Sequence, residues 1–212
     1  MSIQKNNYYY NELLSNHTSW KVGGPAEIFF TPENRSELSK FLESNDKDIT
    51  WIGNGTNVLV RDGGVKGVVI STKKSLAKIE LVEESICRVD AGTSCFELAI
   101  FATKNEFGPA AFFSGIPGSI GGALTMNAGC FGSETWEFVK SVEVIDRNGE
   151  IYHLDPKEFS ISYRSVSFPF PLWFLSCDMI FPDKGVTTME ELKSLRNSRI
   201  ERQPLTENTC GS

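Results

Sequence analysis

Metal ligands are scarce in this chain. Only two histidines, His17 and His153, occur in 212 residues, and none of the five cysteines (Cys87, Cys95, Cys130, Cys177, Cys210) stands in a CxxC pair. A structural zinc site draws four such ligands at short spacings, so no metal centre is expected. The cysteines are scattered through apolar segments and read as reduced thiols of a cytoplasmic protein. Positive charge is also short: 21 Lys and Arg stand against 27 Asp and Glu, a formal net charge of −6. No basic stripe interleaved with aromatics occurs, which argues against nucleic acid as a partner, because neutralising a phosphate backbone takes clustered cations. A nucleotide-sized anion remains open, since a few backbone N–H groups with one or two cationic side chains hold a phosphate locally. Long hydrophobic runs are missing too. The most apolar stretch, Phe168 to Phe181, is broken by Pro169 and Pro171, and nothing approaches the roughly 20 residues of a bilayer span. The opening MSIQKNNYYYNELL is too polar for a signal peptide. No membrane partner is expected. No fixed period recurs, which removes solenoids and coiled coils.

The composition, 40% hydrophobic and 23% charged, is that of a globular protein with a real core. Strand and helix patterns alternate with Gly-rich joints. Pro32 opens a helical pattern with Leu38, Phe41 and Leu42 on one face, and ITWI (Ile49 to Ile52) and NVLV (Asn57 to Val60) read as strands. GVVI (Gly67 to Ile70) and CRVDAG (Cys87 to Gly92) give further strands, followed by a helix placing Phe96, Ala99 and Ile100 on one side. Asn148-Gly149 joins two alternating runs and predicts a hairpin with a type I′ turn, whose two central residues need positive φ. Thr188 and Glu191 have capping-box spacing ahead of a helix carrying Leu192, Leu195 and Ile200, with Pro204 closing it. The expected fold class is α+β, a first lobe over residues 1–70 and a second over residues 71–195.

Two glycine segments carry the functional signal. GNGTN (Gly53, Asn54, Gly55, Thr56, Asn57) sits between strand patterns, where glycine lets successive N–H groups converge on a phosphate. It is not a Walker A loop, because no Gly-Lys-Ser/Thr follows, and it lacks the third glycine of a dinucleotide fingerprint. Taken alone it reads as well as an ordinary turn. In GIPGSIGGALTMNAGCFG, Gly115, Gly118, Gly121, Gly122, Gly129 and Gly132 fall close together. Chain so costly in conformational entropy is expected where backbone lies against something flat or anionic, with a tight packing corner as the alternative.

The residues then resemble a known family. NHTSWKVGGPAE (Asn16 to Glu27), GNGTNVLVRDGGVKGVVI (Gly53 to Ile70), GIPGSIGGALTMNAG (Gly115 to Gly129), YRSVSF (Tyr163 to Phe168) and RQP followed by CGS (Arg202 to Pro204, Gly211 to Ser212) are similar, in the same order, to the UDP-N-acetylenolpyruvoylglucosamine reductases (UDP-N-acetylmuramate dehydrogenases). The resemblance implies a two-lobed FAD-binding fold of the vanillyl-alcohol-oxidase type. It also implies NADPH as hydride donor, a small-molecule UDP-sugar substrate, and a role in peptidoglycan synthesis, hence in cell shape and division. It implies flavin contacts at Gly53, Asn54, Gly55, Thr56 and Asn57, and at Gly115, Ile116, Pro117, Gly118, Ser119, Gly121 and Gly122. Arg164 matches the family's carboxylate-gripping cation and Ser212 its proton donor. By the same resemblance, residues 196–212 begin a third, substrate-binding lobe with a catalytic glutamate, which would follow Ser212. The expectation is a monomer that holds FAD but turns over poorly without that lobe. Two alternatives stay open: a noncatalytic flavin-binding module, and another flavin oxidoreductase of this fold acting on a phenol or hydroxy acid.

Overall fold

The structure is a computed structural model and describes residues 3–5, 7–73, 75–185 and 187–202. A five-stranded sheet forms from the first third of the chain, in the order Ile3–Lys5, Tyr8–Leu13, Pro25–Phe30, Val65–Ile70, Ile49–Trp51. Its first three strands are antiparallel, and Val65–Ile70 runs parallel to both its neighbours. Helix α1 (Arg35–Ser44) makes the crossover that a parallel pairing requires. The Asn34 side chain caps it by accepting Glu37 N at 3.0 Å, three residues inside the expected start at Pro32. Leu38 and Leu42 are buried and Phe41 packs beside them, so the predicted face is the packed one.

Asn57–Val60 does not form the expected strand. Val58 and Leu59 are 38% and 60% exposed, and the segment packs against the Gly23-Gly24 turn, with Gly24 N donating to Arg61 O at 3.1 Å. Its β-branched composition suits a pleated, half-buried surface, but no strand among the described residues lies alongside to supply one.

A second five-stranded sheet, antiparallel throughout, runs Ile151–Leu154, Val139–Asp146, Leu172–Ile180, Ile86–Asp90, Ile79–Glu83. Helix α2 (Cys95–Lys104) starts from a complete capping box between Ser94 and Glu97. Its buried stripe is Cys95, Leu98, Ala99 and Ala102, whereas Phe96 is 37% exposed, so the face is rotated from the one read in the sequence. Helix α3 (Ile120–Met126) buries Ile120, Ala123 and Leu124 beside Phe113, Trp136 and Phe174. The hairpin around Asn148-Gly149 is present, but not as a two-residue type I′ turn. Gly149 has φ +82 while Asn148 is not left-handed, and Gly149 N donates to Asp146 O at 3.2 Å. The Asp146 carboxylate explains the difference: it accepts Asn148 N (2.8 Å) and Glu150 N (2.9 Å) and so winds a longer loop.

Helix α4 (Met189–Arg202) begins with Thr188 Oγ1 accepting Glu191 N at 3.1 Å, as the spacing predicted, and buries Leu192 with Leu195 alongside. Pro204 lies outside the described residues. Among the described residues Cys87, Cys95, Cys130 and Cys177 are free. Burial pushes the Cys87 thiol up to about 12 and raises those of Cys95 and Cys177 as well, so these three are inert packing groups.

The two sheets meet across α1. Ile145 and Leu175 of the second sheet pack into the core formed by Phe30, Leu38 and Val68, and Trp51 stacks on Trp173 with ring centroids 5.5 Å apart. Polar bonds frame this contact: Ser39 Oγ donates to Gly149 O, and Arg147 Nη2 donates to Lys47 O at 2.7 Å.

Candidate cofactor and active site

The first glycine segment leaves the end of strand Ile49–Trp51 and doubles back over residues Asn16 to Lys21. Gly55 has φ +67, and a Cβ there would lie 2.0 Å from His17 O, so only glycine fits. Ser19 N donates to Gly55 O at 3.0 Å and ties the two loops together. The second segment is held by backbone bonds to the stretch between Ile86–Asp90 and α2. Gly121 N donates to Ala91 O (2.8 Å), Ile120 N to Thr93 O (2.8 Å), and Cys95 N to Gly118 O (3.0 Å). Ser119 caps α3, its hydroxyl accepting Gly122 N at 3.4 Å.

The two segments face one another. A Cβ on Gly53 would stand 2.4 Å from Ser119 Oγ, and one on Gly118 would be 3.7 Å from Thr56 Oγ1. Beside this contact opens a cavity of about 150 Å³, lined by Asn16 to Ser19, Lys21, Gly53, Asn54, Ser71 and Lys73. Two cations and no carboxylate line it, in a chain whose net charge is −6. Asn54 Oδ1 is buried with no hydrogen-bond partner among the described residues. An unmet buried acceptor costs roughly 1–3 kcal/mol, and it calls for a donor such as a hydroxyl of the ligand or a water, not for a diphosphate oxygen. Bare backbone, hydroxyls and two lysines around a slot this small suit the diphosphate of a dinucleotide, whose two ring systems would extend beyond it. The residues present therefore fit FAD.

Arg164 sits at the tip of the hairpin joining Ser160–Ser162 to Ser165–Ser167, with φ +55, a conformation glycine adopts more easily. A large side chain is held there at a cost of order 1–2 kcal/mol, a strain shared with Asn11, Lys21, Glu106, Asn127 and Phe131. Its guanidinium is anchored on the second glycine segment, Nη2 donating to Gly129 O (2.7 Å) and Nη1 to Asn127 O (3.2 Å), and lies 5.1 Å from the Tyr163 ring centroid. Asn127, itself left-handed at φ +41, ends α3 and donates to Ser162 O at 3.2 Å, which fixes the hairpin against the helix. Arg164 forms no ion pair among the described residues, so the ordinary fate of a strand arginine is not what is seen. Its exposed guanidinium keeps N–H donors for an incoming carboxylate.

Ser212 lies outside the described residues. Gly53 and Asn54 reach the cavity, and Thr56, Gly118 and Ser119 meet at the contact between the loops. His17, Ser71, Lys21 and Lys73 were not singled out by their sequence context, yet all four line the cavity. His17 packs as well as lining the cavity. It stacks on Phe29 at 4.1 Å, contacts Glu12 Oε1 at 2.9 Å, and its carbonyl presses on Gly55. Only its place in the NHTSWKVGGPAE stretch hinted at this.

An FAD binding domain model matches residues 26–155. Together with the paired α+β sheets and the facing glycine loops, this makes the protein a flavoprotein of the vanillyl-alcohol-oxidase fold. Likeness to a variant of Phl p 4, a glucose oxidase (TM-score 0.61, 15% identity, 85% of this chain and 42% of that one), supports the fold alone. Curated relatives go further. UDP-N-acetylenolpyruvoylglucosamine reductase of Legionella pneumophila (strain Paris) is 41% identical over 206 residues, covering 96% of this chain and 68% of the relative. The enzyme of the same name from Methylococcus capsulatus is 42% identical over 205 residues, covering 95% and 67%. The crystal structure of that reductase from Thermus caldophilus superposes with a TM-score of 0.80 at 27% identity, over 94% of this chain and 71% of that one. The chain belongs to the UDP-N-acetylenolpyruvoylglucosamine reductase family, a family of oxidoreductases.

Proposed function

We propose that this protein holds FAD in the cavity beside the contact of its two glycine segments and uses NADPH to reduce the enolpyruvyl group of UDP-N-acetylglucosamine enolpyruvate, giving UDP-N-acetylmuramate for peptidoglycan. The observation that carries the reading is the meeting of Gly53 with Ser119 beside a cationic slot, in a chain of this family. When bound, FAD supplies two-electron carriage, accepting hydride from the nicotinamide and delivering it to the enolpyruvyl double bond. The protein's part is placement and charge. Residues Gly53 to Asn57 and Gly115 to Gly122 cradle the cofactor with hydroxyls and with the main-chain N–H groups that the fold leaves unspent, those of Ile116, Ile120, Gly121 and Gly122 being already donated within the protein, and Lys21 and Lys73 offset the diphosphate charge.

Arg164 is the catalytic cation in this reading. Hydride addition to an α,β-unsaturated carboxylate drives negative charge onto the carboxylate oxygens, so a guanidinium anchored on Gly129 and Asn127 stabilises the transition state more than the ground state. Ser212 is assigned the proton delivered to the adjacent carbon. Residues 1–70 and 71–195 act as the two flavin lobes and residues 196–212 begin a substrate-binding lobe. A monomer in the cytoplasm is the form proposed. Free cysteines support that compartment, and no helix among the described residues is long and apolar enough to cross a membrane.

Anaerobic mixing tests the substrate class. NADPH should bleach the visible band of the FAD-loaded protein, and the enolpyruvyl sugar should restore it, however slowly. Bleaching by a phenol or a 2-hydroxy acid, with NADPH inert, would instead assign the protein to the oxidising members of this fold.

A further inference from the structure

The two glycine segments belong to different sheets, so their separation depends on whatever fixes one sheet against the other. Arg35, the first residue of α1, reaches across that boundary. Its Nη2 donates to Asp90 Oδ1 at 2.8 Å and its Nη1 lies 2.8 Å from Glu143 Oε1. The two contacts are not equivalent. The bond to Asp90 is an aligned hydrogen bond, whereas Glu143 Oε1 has close charge contact without one. Both carboxylates are nearly buried, with side-chain exposures of 11%, while Arg35 keeps 33%.

Asp90 is the last residue of strand Ile86–Asp90, and the stretch it begins holds the second glycine segment. Its other oxygen accepts Lys78 N at 3.1 Å, and its carbonyl accepts Thr93 N at 3.1 Å. Between these points, Ala91 O and Thr93 O receive Gly121 N and Ile120 N, both at 2.8 Å. On the other side, α1 leads into strand Ile49–Trp51, whose end carries Gly53 to Asn57. One side chain thus joins the supports of both halves of the cradle. Glu143 lies on strand Val139–Asp146, which makes none of these bonds to residues 118–122.

We propose that Arg35 is a positioning residue for the flavin site, fixing through Asp90 the separation of the Gly53–Asn57 and Gly115–Gly122 segments. The inference rests on the reading that FAD lies against those segments, beside their contact. The purified chain, stripped of flavin, is titrated with FAD by fluorescence quenching, and the melting temperature of each apoprotein is recorded. Arg35→Gln and Asp90→Asn should each weaken FAD binding about tenfold, or ~1.4 kcal/mol, and together no further than either alone, because they break one contact. Glu143→Gln should change affinity less than about twofold even where it lowers the melting temperature as much. Arg35→Lys, whose ammonium reaches one carboxylate but cannot fork to two, should recover part of the loss and of the bound flavin's visible circular dichroism. Arg35→Gln that lowers the melting temperature yet leaves FAD affinity intact would overturn the proposal. So would equal affinity losses for Asp90→Asn and Glu143→Gln. An unmodified chain that takes up no FAD would bring down the flavin reading itself, a distinct outcome.

Discussion

Gly53→Ala is expected to weaken FAD binding by roughly 10–100-fold, and Ser119→Ala in the same chain to restore part of it. The added Cβ would meet Ser119 Oγ at 2.4 Å but Ser119 Cβ only at 3.6 Å, an ordinary contact. Rotating the hydroxyl away relieves the overlap but breaks the cap on Gly122 N, worth about 0.5–2 kcal/mol. Spreading the loops instead costs the cradle its geometry, and overpacking of this kind typically costs ~1–3 kcal/mol. At about 1.4 kcal/mol per tenfold, the first route costs roughly 2–30-fold and the second roughly 5–150-fold, and the stated loss lies within the span of the two. Ser119→Ala alone forfeits the cap, yet in the Gly53→Ala background it removes the obstacle, so the pair should be strongly non-additive. Simple addition of the two losses would mean the segments do not touch in solution. Gly55→Ala is a poorer probe, because the obstacle there is the His17 carbonyl at 2.0 Å and φ is +67, so the loop itself would fail.

Arg164→Ala should separate the two half-reactions. Oxidation of the reduced, loaded protein by the enolpyruvyl sugar should slow by ~10²–10³, the usual loss when a donor aimed at developing charge is removed. Bleaching by NADPH should stay within about threefold, since hydride entry builds no charge at the substrate carboxylate. Removing the side chain also leaves Gly129 O and Asn127 O without their guanidinium partner. Arg164→Gly is therefore the useful companion: glycine suits φ +55 better than arginine or alanine, so the turn should hold while the slow step persists. Equal slowing of both half-reactions would make Arg164 a structural anchor of the hairpin.

Much of the fold was legible because local pattern and tertiary demand agree. The Leu38, Phe41, Leu42 face of α1, the buried run Val68 to Ile70 and the Thr188 cap each encode their element within a few residues. The failures have different causes, a partner distant in sequence in one and a neighbouring side chain in another. Asn57 to Val60 has strand composition but meets a glycine turn more than thirty residues earlier. Asn148-Gly149 marks the right turn, yet the Asp146 carboxylate selects its type. The site divides in the same way. The glycines and Arg164 announce themselves by composition or motif, whereas Lys21, Ser71 and Lys73 converge only through the fold. The strain at Arg164 and the reach of Arg35 to Asp90 have no sequence signal at all.

Amide hydrogen exchange of the apoprotein with and without FAD tests the central claim most directly. Residues 53–57 and 115–122 should gain protection together on FAD addition, while the outer strand Ile79–Glu83 should not change. Flavin uptake that protects only one of the two segments, or neither, would contradict the account.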